Sequence, residues 1–204
     1  MFLRFGVPAE RVRLIAPHAI AAPAPRLPEN LERFYRGHRP VLLTVGLLEP
    51  EYDLELQIEL LGELRQRFPG AGLVIAGSGS LEQRLREAIR SKPYAEHVLL
   101  AGDVAHAETL RAIFDCDVFL RTTKYDGDSV AVREALHFGT PVIATDNGMR
   151  PEGVELIPPS DLKALREAVE ARLDRLEPRP VREIGSEENI RAVYDLYSTL
   201  STPG

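Results

Sequence analysis

A polar loop and the segment after it hold two carboxylates at a spacing that suits the recognition of hydroxyl groups. Asp126 stands in the loop, and Glu134 follows eight positions later in a segment of helical periodicity. This separation slightly exceeds two helical turns, so both carboxylates face the same side if the helix begins early. A carboxylate can accept two hydrogen bonds from neighbouring hydroxyls of a sugar or ribose. On spacing alone, the alternative stays open that Asp126 caps the helix and Glu134 lies on a solvated face.

Two segments offer groups that favour an anion. Asp128 or Ser129 can cap the helix that carries Glu134, which leaves backbone amides directed at the adjoining cleft. The run Gly77-Ser78-Gly79-Ser80 places a glycine pair between a strand and a helix, where amides can approach a ligand. Its serines could instead cap the helix. The third glycine of a dinucleotide fingerprint is absent, since Glu82 stands at its place, and no lysine completes a P-loop.

Composition excludes several classes of function. The chain has 25 Lys and Arg against 31 Asp and Glu, a formal net charge of −6, which argues against broad electrostatic binding of nucleic acid. The single cysteine, Cys116, excludes an intramolecular disulfide framework and a cysteine-based zinc cluster. The histidines show no metal-ligand spacing, so we predict no metal. No apolar run is long enough to span a membrane, and we expect a soluble, cytoplasmic protein.

The elements that position these residues follow from the hydrophobic pattern. Continuous apolar runs are typical of strands buried on both faces of a parallel sheet, and segments of helical periodicity separate them. This alternation predicts an α/β fold with a doubly wound, mostly parallel, six-stranded Rossmann-like sheet. The predicted strands are 41–46, 72–77, 97–102, 117–120, 141–145 and 154–157.

The loops after these strands are the predicted site, because ligands of such sheets bind beyond the carboxyl ends of the strands. The segment before residue 40 is different in character. Pro17, Pro23, Pro25 and Pro28 exclude a helix or a central strand around them and predict an extended connector.

The carboxylate segment resembles a motif of the GT-B glycosyltransferases, most closely that of the retaining family 4. Asp126-x7-Glu134 is followed by Ala135-Leu136 and by Gly139-Thr140-Pro141-Val142, which is similar to the family's Glu-x7-Glu pattern and its Gly-x-Pro-Val strand. Supporting motifs stand in the expected order at Val45-Gly46, 74–79, 100–104 and 147–153. The resemblance covers roughly residues 1–175.

The resemblance implies one half of a GT-B enzyme, namely the C-terminal domain that binds the nucleotide-sugar donor. Residues 1–39 are then expected to lead in from a missing N-terminal domain, and residues 40–204 to form the donor-binding domain with a C-terminal helix. The implied function is transfer of a sugar to a glycan or lipid-linked acceptor held by the missing domain. No cofactor besides the nucleotide-sugar substrate is implied. The full-length enzyme is expected in the cytoplasm, with peripheral attachment to a membrane left open, and the isolated chain is expected to be inactive.

The resemblance also assigns roles to residues. Glu134 would hold the ribose hydroxyls, and Asp126, one methylene shorter than the family's glutamate, would contact the sugar hydroxyls. The implied donor-binding positions are Gly46, Gly77, Gly79, Gly127, Asp128, Ser129 and Val130. The last four would offer amides to sugar or phosphate, and the glycines of the loop after the second strand would leave room near the nucleotide.

Two cations of the family are missing. Leu47 and Tyr52 stand where the family has an arginine and a lysine that neutralise the departing diphosphate, usually the largest catalytic contribution. Arg121 ends the fourth predicted strand and is the first candidate to replace them, with Lys124 and Arg133 as further candidates. Arg121 thereby joins the two carboxylates in the predicted catalytic set.

Two alternatives stay open. The missing cations and the missing acceptor domain favour a non-catalytic nucleotide- or sugar-binding or regulatory module that pairs with a partner subunit. A different Rossmann-type enzyme, such as a sugar-nucleotide epimerase, is the second alternative.

Overall fold

A computed structural model of the chain describes residues 21–175 and 188–200, together with Pro8 and Val12. These residues belong to two units. The larger unit, Ala22–Arg182, contains the sheet. In the smaller unit, Met1–Ala21 with Glu183–Gly204, the described part includes one helix.

The sheet of the larger unit is parallel throughout. Within the described residues its strands are β1 (Val41–Val45), β2 (Gly72–Ala76), β3 (Val98–Gly102), β4 (Val118–Arg121), β5 (Val142–Thr145) and β6 (Glu155–Ile157). Their order is β3-β2-β1-β4-β5-β6, and every neighbouring pair is parallel. The order reverses between β1 and β4, which is the topological switch point where ligands of doubly wound sheets bind. The predicted fold class is confirmed.

Helices connect the strands and flank the sheet. The α-helices in the described residues are α1 (Glu29–Gly37), α2 (Leu54–Leu64), α3 (Glu82–Arg90), α4 (His106–Asp115), α5 (Val130–His137), α6 (Leu162–Asp174) and α7 (Glu188–Leu200). Short 3-10 turns cover Pro50–Tyr52 and Ala95–His97. The last helix, α7, belongs to the smaller unit, and the expected domain of residues 40–204 with a C-terminal helix stays a prediction.

Burial on both faces explains why the central strands are apolar without interruption. All residues of β2 and β4 are buried. One cluster joins side chains such as Leu42 and Leu73 of the sheet to Leu61 of α2, Leu85 of α3 and Val169 of α6. Neighbouring strand residues point to the opposite face, which explains the buried residues outside that cluster. The burial of apolar side chains on both faces of the sheet stabilises the strands, and the strands in turn fix the positions of the loops at their ends.

The helix α1 is not predicted by the sequence analysis, which treats residues 1–39 as a lead-in. It begins directly after Pro28, and it buries Leu31 and Phe34. Tyr35 of the same helix donates a hydrogen bond to the Ala112 carbonyl at 2.9 Å. The apolar spacing of these side chains was a usable signal, but the preceding prolines dominated the interpretation. Most of residues 1–20 lie outside the described part of the chain, and the division at residue 39 stays a prediction.

None of the helices in the described residues combines the length and the apolar character needed to cross a membrane.

Candidate ligand-binding site

The loops predicted to form the site meet at the carboxyl edge of the sheet, and backbone bonds tie them together. The Leu48 amide donates to the Ser78 carbonyl at 2.9 Å, which joins the loops after β1 and β2. The Lys124 amide donates to the Glu51 carbonyl at 2.7 Å, which joins the loops after β4 and β1. The polar loop predicted from the sequence therefore lies beside the switch point.

A cleft of about 220 Å³ opens over the carboxyl ends of β1, β2 and β3. Its lining includes Gly46 and Leu47 after β1, Gly77 and Ser78 after β2, and Asp103 and Val104 after β3. Leu47 is 55% exposed and gives the cleft an apolar rim. A second cavity, of about 280 Å³, lies near the amino ends of β5 and β6. We place the site in the first cleft, because ligands of this sheet class bind at the carboxyl ends.

Glu134 lies in α5 and is only 4% exposed. Its Oε1 accepts a hydrogen bond from Nε2 of His106 at 2.8 Å. His106 is the first residue of α4, and its side chain is 62% exposed. Thr109, on the same face of α4, lines the cleft, so Glu134 is held beside the cleft rather than on a solvated surface. The sequence analysis missed His106; its place just after a predicted strand was the available signal.

Asp126 is the centre of a charged network. Its Oδ2 accepts from Nε of Arg121 at 2.9 Å and from Nη1 of Arg150 at 3.0 Å. Its Oδ1 accepts from the Gly127 amide at 2.9 Å. Burial acts to raise the pKa of Asp126, but the hydrogen bonds and charges of the two arginines outweigh it and hold the pKa below its ordinary value. The sequence analysis predicted Asp126 and Arg121 but not Arg150.

Both arginines are committed to further partners. Arg121 donates from Nη1 to the Val45 carbonyl at 2.9 Å, and its guanidinium lies 4.5 Å from the centre of the Tyr52 ring. Arg150 donates to Thr123 Oγ1 at 2.7 Å and to the Thr145 carbonyl at 3.1 Å. The network thus connects the carboxyl ends of β1, β4 and β5.

The glycines predicted to bind the donor differ in what surrounds them. A side chain on Gly46 would collide with the ring of Tyr52. Gly77 has φ +133° and lies against the Gly46 carbonyl, while Gly79 lies against the backbone of Leu48. The absence of a side chain at these three glycines therefore allows the loops to pack closely, and their role in binding the donor stays a prediction. A side chain on Gly127 would meet no atom within 4 Å, so this position is open.

The start of α5 resolves which residue caps the helix. Ser129 Oγ accepts from the Val132 amide at 3.5 Å, so the cap is Ser129. Asp128 instead accepts from Nε of Arg133 at 2.7 Å. That hydrogen bond raises the pKa of Arg133. Val130, the first residue of the helix, is exposed.

Three further charged groups of these loops have partners within the loops. Lys124 Nζ lies 3.6 Å from Oδ1 of Asp53. Glu49 accepts from the amide of Ser80 at 2.7 Å and from its hydroxyl at 2.5 Å, and these two bonds lower the pKa of Glu49. Within the described residues, no group of three His, Cys, Asp or Glu side chains has the geometry to hold a metal ion. The absence of a metal in the function stays a prediction.

Comparison with known proteins gives one consistent result. Residues 32–175 match the family described as glycosyl transferases group 1. A GDP-mannose-dependent alpha-(1-6)-phosphatidylinositol monomannoside mannosyltransferase of Mycobacterium tuberculosis is 31% identical over 162 residues, which are 76% of this chain and 40% of that protein. This chain therefore spans less than half the length of that curated relative.

Two crystal structures share the fold. The C-terminal domain of a glycosyl transferase group 1 family protein, LpcC, from Francisella tularensis aligns with 76% of this chain and 86% of that domain, with a TM-score of 0.62 and 16% identity. Anabaena Alr3699/HepE in complex with UDP aligns with 85% of this chain and 50% of that protein, with a TM-score of 0.65 and 17% identity.

Proposed function

The chain belongs to the glycosyl transferases group 1 family and has the fold of a GT-B C-terminal domain; from this premise we propose that it binds the nucleotide-sugar donor of a retaining glycosyltransferase. The sugar is transferred to a glycan or lipid-linked acceptor, which a second domain holds on the other side of the cleft. The isolated chain then binds the donor without turning it over, because a cleft enzyme needs both walls to exclude water.

The observation that carries this proposal is the state of Glu134. The carboxylate is almost fully buried, and among the described residues the structure gives it one partner, His106. A buried carboxylate with spare acceptor capacity is costly unless a ligand supplies donors. The vicinal hydroxyls of a ribose are such donors, and the cleft beside α4 accommodates the attached base.

The proposed pose follows from this anchor. With the ribose on Glu134, the phosphates lie toward the start of α5, where Gly127 is open and the helix terminus favours negative charge. Transfer breaks the bond between the anomeric carbon and the diphosphate oxygen, and it forms a bond from the same carbon to the acceptor oxygen. The diphosphate leaves with the electron pair and takes up the proton that the acceptor hydroxyl loses. We propose that this proceeds without a metal and with retained anomeric configuration.

A non-catalytic binding module is the second candidate. Leu47 is exposed on the rim of the cleft, and the Tyr52 ring fills the space at Gly46, so neither position supplies a cation for the leaving group. Such a module would bind the nucleotide or its sugar and pair with a partner subunit. Family membership leaves no support for the epimerase alternative.

Calorimetric titration with UDP, GDP and their sugar conjugates tests the proposal. We expect one nucleotide to bind and Glu134→Ala to weaken it at least tenfold, about 1.4 kcal/mol. Glu87→Ala is the matched control, because Glu87 is an exposed glutamate on α3, away from the cleft. A folded chain that binds none of these ligands would contradict the proposal. A second assay distinguishes the two candidate functions. Release of free sugar from the bound donor, measured after an N-terminal domain is added, supports the enzyme, and its absence supports the non-catalytic module.

A further inference from the structure

The charge that a diphosphate needs is present in this chain in a form that the sequence analysis did not foresee. We propose that Arg121, Asp126 and Arg150 form a buried cationic unit that attracts the donor phosphates, with Arg150 as a positioning residue and Asp126 as the holder of both arginines rather than a contact for the sugar. This inference rests on the proposed function for the identity of the ligand.

The hydrogen bonds of Asp126 are used mainly within the protein. An ionised carboxylate offers about four lone-pair sites. Oδ2 takes donors from Arg121 at 2.9 Å, Arg150 at 3.0 Å and Thr123 at 3.4 Å. Oδ1 takes the Gly127 amide at 2.9 Å. Three donors thus converge on Oδ2, which has no further capacity, whereas Oδ1 keeps one of its sites. Most of the carboxylate is therefore used to hold the two arginines.

The unit carries an excess of one positive charge. Two guanidinium groups face one carboxylate, and the lowered pKa of Asp126 keeps it ionised. Arg121 with Asp126 alone would be neutral, so Arg150 supplies the excess. The side chains of Arg121, Arg150 and Asp126 are only 7%, 2% and 16% exposed, so solvent and salt screen this charge weakly.

The other cations of the site have no such excess. Lys124 lies opposite Asp53, and Arg133 is bonded to Asp128. Each of these pairs is close to neutral as seen from the cleft. The Arg121–Asp126–Arg150 unit is therefore the source of uncompensated positive charge among the described side chains of these loops.

The position of the unit matches where a phosphate would lie. Arg121 ends β4 and donates to the carbonyl of Val45 at the end of β1, so it bridges the topological switch point. Arg150 follows β5 and reaches the Thr145 carbonyl and Thr123. The unit thus lies next to the start of α5, whose partial positive charge adds to its own.

The test compares ligands that carry the nucleoside, the diphosphate or both. Titration of the chain with the nucleoside, the nucleoside diphosphate and inorganic pyrophosphate is repeated with Arg150→Gln, Arg150→Lys and the control Arg84→Gln. Arg84 is exposed on α3 and paired with Glu55. We expect Arg150→Gln to weaken the diphosphate about tenfold and the nucleoside less than twofold. Arg150→Lys should retain most of the preference for the diphosphate, since it keeps the charge.

Asp126→Asn gives a prediction of opposite sign. Removing the negative charge of Asp126 raises the net positive charge of the unit. The affinity for the diphosphate should therefore stay the same or increase, and the affinity for the nucleotide-sugar should change in the same way. If Asp126 contacted the sugar, the nucleotide-sugar alone would lose affinity. Circular dichroism checks that each variant is folded. If Arg150→Gln does not fold, Arg150→Lys is measured in its place.

The outcomes separate this inference from the proposed function. Equal losses for nucleoside and diphosphate in Arg150→Gln, or no loss at all, would overturn the cationic unit while leaving nucleotide binding intact. If the wild-type chain binds no nucleotide, the proposed function fails. The unit is then judged on pyrophosphate, whose binding by wild type and loss in Arg150→Gln would support it. Failure of wild type to bind pyrophosphate would overturn it.

Discussion

Gly77→Ala distinguishes a glycine that serves loop packing from one that serves a ligand. The backbone of Gly77 has φ +133°, and an added Cβ would lie 1.9 Å from the Gly46 carbonyl oxygen. An L-residue in this region costs about 1–3 kcal/mol. The loop must also move, which weakens the bonds from the Gly77 amide to the Gly102 carbonyl and from the Leu48 amide to the Ser78 carbonyl. Each is worth about 1 kcal/mol, so we expect a loss of about 2–5 kcal/mol in the free energy of unfolding.

Urea unfolding followed by circular dichroism measures this loss as a lower transition midpoint at unchanged slope. Gly127→Ala is the control, because Gly127 was predicted for the same donor site and an added Cβ there meets no atom within 4 Å. Its free energy of unfolding should stay within about 0.5 kcal/mol of wild type. The reasoning is refuted if Gly77→Ala unfolds like wild type yet no longer binds nucleotide, since the glycine would then reserve space for the ligand.

Three further predictions concern the helix missed by the sequence, the pH dependence and the lost cation. Leu31→Ala should lower the free energy of unfolding by about 2–5 kcal/mol in urea, because α1 buries Leu31 fully; an unchanged midpoint would show that α1 is not part of the core. Burial, aided by the charge of Arg65, lowers the pKa of His97 from 6.5; the unfolded chain therefore takes up the proton first, and stability should decline as the pH falls below 6.5. Between about pH 8 and 5, the urea midpoint of His97→Gln should fall less than that of wild type. The same pH dependence in both proteins would contradict the role of His97. Leu47→Arg should increase the affinity for a nucleoside diphosphate by up to about 1 kcal/mol in a salt-dependent way, whereas an equal gain for the nucleoside would show that charge is not the cause.

The sheet was predictable because its strands are buried on both faces. The strand Gly72–Ala76 is apolar throughout, and Val41–Val45 is apolar except for the buried Thr44. Burial of both faces of such strands explains this composition. Connection rules restrict the order of strands in such a sheet without fixing it, and the order came from the structure. The helix α1 was missed because Pro28 is both the last residue of the proline-rich segment and the residue directly before the helix. A proline at the start of a helix does not disrupt it.

The site was predictable only in part. The spacing of Asp126 and Glu134 placed two carboxylates near the edge of the sheet, and the structure puts both there. Their partners follow other strands: His106 begins α4 after β3, and Arg150 lies in the loop after β5. Contacts between segments that follow different strands leave no fixed spacing in the sequence. A single sequence also cannot separate a glycine that a neighbouring loop requires from one that a ligand requires. The structure shows the first requirement for Gly77, and its place near the nucleotide stays a prediction.

The side chains at the switch point depend on one another through their contacts. Gly46 has no side chain, so the Tyr52 ring enters beside it, and the Arg121 guanidinium lies on that ring. A lysine in place of Tyr52 would add a third cation next to Arg121 and Arg150, with Asp126 as the carboxylate of the unit, and like charges at this distance repel strongly where water is excluded. A lysine at position 52 would therefore be electrostatically unfavourable beside the buried unit. The proposed unit therefore presents its positive charge on side chains already fixed in the scaffold, which lose less conformational entropy on meeting a phosphate than exposed side chains do.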